Sequence, residues 1–159
     1  MSKEKLAFVS FEPQGDGFQA FMSIEDFAQT TLDLEPQLKK ASSLYDKYIL
    51  RMRCTISEIR SIRKSGCLTP ARKVWKIGDT IFGLTQQLAK LSFQIDGLYE
   101  HLVRDLDVKR KWLEKVVILR RYIPTKETIP ESSNWGQFEK GTRKAAIRLT
   151  ENVDDSDKK

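Results

Sequence analysis

The chain has 159 residues, of which 40% are hydrophobic and 31% are charged, and its formal net charge is +6. A single domain of this length can bury about 70% of its unfolded surface, so folding requires no disulfide or structural metal. The sequence has no apolar run long enough to span a membrane and no signal-peptide core, so we expect a cytoplasmic protein without a membrane partner.

Residues 1–35 predict an N-terminal arm and a short helix. The apolar pieces LAFVSF and FQAFM flank Pro13, Gly15 and Gly17, and they indicate either a small hairpin or an ordered arm. Ser23 begins a weak capping box that predicts the short helix. The segment is acidic overall, in contrast to the chain that follows it.

Residues 36–92 predict an antiparallel helical hairpin. Pro36 opens a helix to residue 64, and Thr69 followed by Pro70 predicts an N-cap and first residue for a second helix, to about residue 91. Both helices carry apolar residues at alternating spacings of three and four. The first seam is Leu38, Ala41, Tyr45, Tyr48, Met52, Thr55, Ile59 and Ile62, and the second is Val74, Ile77, Ile81, Leu84, Leu88 and Leu91.

These seams have two interpretations. They can bury against each other and the rest of the domain, or leftover apolar surface can support a homodimer or higher oligomer. The hairpin is also strongly basic between residues 47 and 76. This excess indicates either a surface for a polyanion or a solvated helical face. The predicted secondary basic surface consists of Arg60, Arg63, Lys64, Arg72, Lys73 and Lys76.

Residues 93–152 predict a helix-turn-helix followed by a C-terminal helix. The stretch YEHLVRDLDVKRKWLEKVVI, residues 99–118, has the apolar spacing of two helices joined by a tight turn. Asp96 or Gly97 is expected to start the first helix. The second is expected to be capped by Asp107 and to run to Ile123, just before Pro124.

Cations early in the second helix point to DNA. Lys109, Arg110, Lys111 and Lys115 are the candidates for base-edge contacts in a major groove, whereas Arg104, Arg120 and Arg121 are candidates for backbone contacts. Trp112 is expected to pack at the domain edge. Because Asp105 and Asp107 place negative charge near the phosphates, a purely structural helix pair remains the alternative.

A loop of Thr, Ser and Pro residues follows Pro124. Helical spacing then predicts a last helix from Trp135 to Asn152. Residues 153–159 are predicted to form a disordered acidic tail.

Catalytic chemistry is not indicated. The single histidine, His101, is expected to be a packing or surface residue, and no nucleophile set or Gly-rich phosphate loop can be assembled. Cys54 and Cys67 lack zinc-ligand spacing and are expected to be reduced thiols. We therefore expect no enzyme, no catalytic residue, no metal site and no cofactor.

Part of the chain, about residues 70–138, resembles the helical N-terminal domain of the YhcG-like family, in which that domain precedes a PDDEXK nuclease domain. The matching pieces are Trp75-Lys76-Ile77-Gly78, Leu98 to Val116, Leu119 to Pro124, and Asn134-Trp135. The resemblance implies a DNA-associated role in prokaryotic mobile-element, phage or defence systems. No nuclease domain follows within this sequence, so the resemblance does not extend to cutting activity.

The sequence thus predicts an all-α, non-catalytic DNA-binding protein, with RNA as another candidate partner. The alternative is an oligomeric assembly or adaptor subunit that binds an acidic protein or RNA through its basic hairpin.

Overall fold

The computed structural model describes the backbone of residues 9–14, 17–21, 34–91 and 93–157, and the side chains of residues 36–91 and 93–151. Helices dominate, so the predicted all-α class is confirmed. The short helix predicted at Ser23 lies outside the described residues. In chain order the elements are β1 (Val9–Gln14), β2 (Gly17–Phe21), α1 (Leu34–Lys64), α2 (Ala71–Lys90), β3 (Phe93–Ile95), α3 (Leu98–Leu106), α4 (Arg110–Tyr122), a 3₁₀ turn (Lys126–Thr128), α5 (Gly136–Glu139) and α6 (Thr142–Asp157).

A small sheet of three strands, in the order β2-β1-β3, accompanies the helices. β1 pairs antiparallel with β2, as in the hairpin alternative for the N-terminal segment. β1 also pairs in parallel with β3, with Val9 opposite Phe93. This parallel pairing joins the N-terminal segment to the connection between α2 and α3, and no pattern in the sequence predicts it.

The two long helices run antiparallel. Lys73 near the start of α2 binds Glu58 near the end of α1, with 2.6 Å between Nζ and Oε2. Further along α2, the ring of Tyr48 lies 3.4 Å from the point where a side chain at Gly83 would begin. Residues later in α2 therefore contact residues earlier in α1, as antiparallel helices do.

The buried stripe of α1 differs in part from the predicted seam. Ile49 and Ile56 are buried in the core, whereas Tyr48 and Ile62 are only partly buried. An α-helix has 3.6 residues per turn, so a stripe assigned with a strict spacing of 3.5 drifts around a long helix. In α2 the predicted seam is buried from Val74 to Leu88.

One hydrophobic core unites segments that the sequence analysis had assigned to separate units. It includes side chains of α1, α2, α3, α4, α5 and α6. α2 and α4 approach closely at Gly78, where a Cβ would lie 2.7 Å from the carbonyl oxygen of Val116 and 2.8 Å from Cβ of Arg120. Trp75 adds a hydrogen bond from Nε1 to the carbonyl oxygen of Ile123, at 2.6 Å.

The start of α2 differs from the prediction. Pro70, not Thr69, is the N-cap, with extended φ and ψ of −63° and 132°. The carbonyl oxygen of Thr69 instead accepts a hydrogen bond from the backbone N–H of Trp135, at 2.7 Å. An isolated antiparallel bridge between Pro70 and Asn134 accompanies this contact. A distant loop thus binds the backbone of the segment that precedes α2.

The C-terminal region forms two helices where one was predicted. Gly141 adopts a left-handed φ of 63° and separates α5 from α6. The Thr142 hydroxyl donates a hydrogen bond to the carbonyl oxygen of Phe138 across this break, at 2.6 Å. α6 extends to Asp157, so the prediction of disorder is wrong for residues 153–157.

Candidate nucleic-acid interface

The turn between α3 and α4 forms around Asp107. This residue has left-handed φ and ψ of 53° and 56° and is the C-cap of α3. The N-cap of α4 is Lys109, so the prediction that Asp107 caps the second helix is wrong. Asp tolerates the left-handed conformation better than most residues, and here it ends the first helix.

Side chains of α1 hold this turn in place. Arg53 donates from Nε to the carbonyl oxygen of Asp105 at 2.9 Å, and Arg60 donates from Nη2 to that of Asp107 at 2.6 Å. The last carbonyl groups of a helix have no partner within it, so these arginines satisfy groups that α3 leaves open. They lie one heptad apart on α1 and therefore on one side of it.

A second contact between α1 and α3 is partly buried. The hydroxyl of Tyr45 donates a hydrogen bond to the carboxylate of Asp105, which also accepts one from Arg104 at 2.9 Å. Burial opposes ionisation of Asp105, but the hydrogen bonds from Arg104 and Tyr45 outweigh it and hold the pKa of this carboxyl below its usual value. Burial and the hydrogen bond to Asp105 raise the pKa of Tyr45 above its ordinary range.

His101 is buried in α3, as expected for a packing residue. Its Nδ1 atom has no hydrogen-bond partner among the described residues.

A concave surface lies between the C-terminal part of α1 and the N-terminal half of α4 and forms an open cavity with a volume of about 410 Å³. We call this surface the basic groove. Its positively charged lining residues are Arg60, Arg63, Lys109, Lys111 and Lys115. Its apolar lining residues are Ile56, Ile59, Val108 and Trp112, and its acidic ones are Asp107 and Glu139. The groove thus brings together members of both basic sets that the sequence analysis singled out.

Most cations of the basic groove are available to a ligand. Arg63, Lys109 and Lys111 are exposed and Lys115 is partly exposed, and none of these has an ion-pair partner in the described part of the chain. The side chain of Arg60 is 56% exposed even though it contacts Asp107. Five cations line the groove against the two carboxylates of Asp107 and Glu139, so the lining is positive overall and favours an anionic ligand.

Arg110, another predicted base contact, is bound elsewhere. It pairs with Glu100 at 2.8 Å and with Glu114 at 3.2 Å, and its guanidinium lies over the ring of Tyr99. Hydrogen bonds to the two carboxylates raise the pKa of Arg110. Two carboxylates therefore compensate its charge, and the residue links α3 to α4.

The predicted backbone contacts lie outside the basic groove. Arg120 is only 16% exposed, pairs with Asp79 at 2.9 Å and covers the ring of Phe82. Arg104 pairs with Asp105, whereas Arg121 is exposed further along α4.

The residues of the predicted secondary basic surface fall into those that line the groove, those that are exposed elsewhere and those that are bound by a carboxylate or carbonyl group. Arg60 and Arg63 line the basic groove, and Lys64 and Lys76 are exposed. Lys73 is bound by Glu58. Arg72 donates to the carbonyl oxygen of Ile129 at 2.7 Å and contacts Glu131.

The described residues do not form a metal site or a membrane-spanning helix. They include no group of three or more His, Cys, Asp or Glu side chains that could hold a metal ion. No helix among them is both long and apolar enough to cross a membrane. Cys54 and Cys67 are free and exposed.

Comparison of the chain with protein-family models, with curated proteins and with solved structures finds no match. The YhcG-like resemblance therefore stays a prediction that rests on the short sequence motifs alone.

Proposed function

We propose that this chain is a non-catalytic DNA-binding protein that holds the phosphate backbone in the basic groove. The observation that carries the proposal is the convergence of Arg60 and Arg63 from α1 with Lys109, Lys111 and Lys115 around one concave surface. Cations that neutralise phosphates release condensed counterions from the nucleic acid, and this release supplies affinity without sequence specificity.

The proposal changes the roles expected from sequence. Lys109, Lys111 and Lys115 remain candidate contacts, joined by Arg60 and Arg63. Arg110 and Arg120 instead stabilise the packing of α4 through their carboxylate partners. We also propose a cytoplasmic setting, and the YhcG-like resemblance favours a mobile-element, phage or defence system.

The alternative of an oligomeric assembly subunit has weaker support. This alternative requires the two heptad seams to be available to a partner, but most of their residues are buried within the chain's own core. Leu50, Leu68 and Phe82 are the large hydrophobic side chains exposed in the described region. Sedimentation would favour this alternative by showing a large, stable oligomer that has no affinity for DNA.

Binding of labelled DNA, offered both as a single strand and as a duplex, tests the proposal. The test variant is Lys111→Ala/Lys115→Ala, and the control is Lys39→Ala/Lys40→Ala, which removes the same charge from exposed positions outside the basic groove. We expect the test variant to lose about tenfold or more in affinity and to show a shallower salt dependence, by about 0.7–0.9 per lost phosphate contact. The control should bind like the wild type. Equal affinity of the two variants for both DNA forms would contradict the proposal.

A further inference from the structure

The form of the nucleic acid can be inferred from the shape and lining of the basic groove. We infer that the groove takes a single strand of DNA, with a base against Trp112 and the adjoining phosphates on the surrounding cations. This inference rests on the proposed function and deepens it.

The walls of the groove disfavour a duplex on steric grounds. A helix with its side chains is about 10–12 Å across and the major groove of DNA is about 12 Å wide, so the face of a helix that reads bases has to protrude from its surroundings. Here Lys111 and Lys115 line a concave surface whose other wall carries Arg60 and Arg63 of α1. This face of α4 is therefore recessed behind a wall of α1, which disfavours its insertion into a duplex.

The lining of the groove also favours a single strand. Trp112 is partly exposed and lines the groove with Ile56, Ile59 and Val108 beside the cations, and it also packs against the core. A duplex buries the faces of its bases in the stack, whereas a single strand exposes them to an aromatic ring. Cations along a backbone track combined with an aromatic platform are typical of proteins that bind single strands.

The charges on the other face of α4 also disfavour a duplex. On α4, Arg110 lies outside the basic groove between Glu100 and Glu114, whose carboxylates offset its charge. A duplex that lay across both faces of α4 would bring its phosphates close to these carboxylates. A single strand within the groove would approach only two carboxylates, those of Asp107 and Glu139, which are the acidic residues of the lining.

The size of the groove agrees with this occupant. Its volume of about 410 Å³ lies within the range of about 300–1,000 Å³ that is usual for small-molecule sites. The half-open groove can therefore accommodate one nucleotide unit while the remaining strand follows the cations toward solvent.

Intrinsic fluorescence and anisotropy provide the test. Trp75 and Trp135 are 7% and 6% exposed, so Trp112 is the tryptophan that a ligand in the groove can reach. The probes are oligothymidylate, oligouridylate of equal length and a DNA hairpin with an equal number of phosphates. The variants are Trp112→Leu, Trp112→Phe and Lys111→Ala/Lys115→Ala.

Oligothymidylate should bind more tightly than the hairpin and quench the fluorescence of Trp112. Trp112→Leu should weaken this binding roughly fivefold or more while leaving hairpin binding unchanged, and Trp112→Phe should retain most of the affinity because it keeps an aromatic face. Thermal unfolding of each variant separates loss of stacking from loss of folded protein.

Tighter binding of the hairpin, with no loss in Trp112→Leu, would overturn the single-strand inference. The proposed function would survive this result if Lys111→Ala/Lys115→Ala still weakened hairpin binding. Tighter binding of oligouridylate would overturn the choice of DNA. If the lysine changes altered binding of no probe, the inference and the proposed function would both fail.

Discussion

Arg60 of α1 donates a hydrogen bond to the carbonyl oxygen of Asp107, with 2.6 Å between the two atoms. The contact joins the two walls of the basic groove, since Arg60 lies on one and Asp107 begins the other. The hydrogen bond involves only one nitrogen of the guanidinium, and the Arg60 side chain remains 56% exposed. The residue can therefore fix the turn and still present charge to a ligand.

The left-handed conformation of Asp107 leads to the first prediction. Asp107→Gly should raise the free energy of unfolding by about 0.5–1 kcal/mol, because glycine adopts a positive φ without steric cost. It should also tighten DNA binding, because a carboxylate leaves the groove. Asp107→Ala removes the same charge but keeps a Cβ, so it should tighten binding without the gain in stability. Urea unfolding and anisotropy measure the two effects, and equal stability of the two variants would contradict this explanation.

The close approach of α2 and α4 leads to the second prediction. Gly78→Ala should lower the free energy of unfolding by about 1–3 kcal/mol, because the new Cβ would lie 2.7 Å from the carbonyl oxygen of Val116. Gly83→Ala is the control in the same helix, where the nearest atom is a flexible ring carbon of Tyr48 at 3.4 Å. That variant should be neutral or gain up to about 1 kcal/mol from helix propensity. Similar losses at both positions in urea unfolding would refute the packing account.

The third prediction concerns the hydrogen bond between Tyr45 and Asp105. Tyr45→Phe should lower the free energy of unfolding by about 1–2 kcal/mol at neutral pH, because a buried hydroxyl that binds a carboxylate is lost. The control is Tyr48→Phe, since the hydroxyl of Tyr48 has no hydrogen-bond partner in the described region, and it should have little effect.

The pH dependence of this effect has a definite sign. The folded protein lowers the pKa of Asp105, so the stabilisation is present above the unfolded pKa and is lost as pH falls through the folded pKa. The difference between wild type and Tyr45→Phe should therefore shrink in acid. Asp105→Asn should show a smaller loss of stability on acidification than the wild type does. A difference that grew on acidification would contradict the assigned ionisation of Asp105.

Several elements could be predicted from the sequence because their signals are local. Pro36, the break at residues 65–68 and the repeated apolar spacing define two long helices, which the structure contains. β3 could not be predicted, because a strand of three residues has no usable periodicity and its partner β1 lies far away in the chain.

The candidate site was predicted only in part. Both basic sets are visible in the sequence, but which of their members share a surface depends on how α1 and α4 face each other across the groove. Arg110 looks like an open base contact from its position in α4, yet its partner Glu100 comes from α3. Arg53 and Arg60 lie seven residues apart, which places them on one side of α1, but their carbonyl partners at the turn are visible only in the structure.

The basic groove is tested most directly by comparing DNA affinity between Lys111→Ala and Arg110→Ala. These neighbouring changes remove the same charge, but only Lys111 lines the groove, whereas Arg110 is bound by Glu100 and Glu114. Anisotropy with labelled DNA should show several-fold weaker binding for Lys111→Ala and a salt dependence that is lower by about 0.7–0.9. Arg110→Ala should bind nearly as the wild type does. An equal or larger loss for Arg110→Ala, in a variant that unfolds at the wild-type midpoint, would contradict the assignment of DNA binding to the groove.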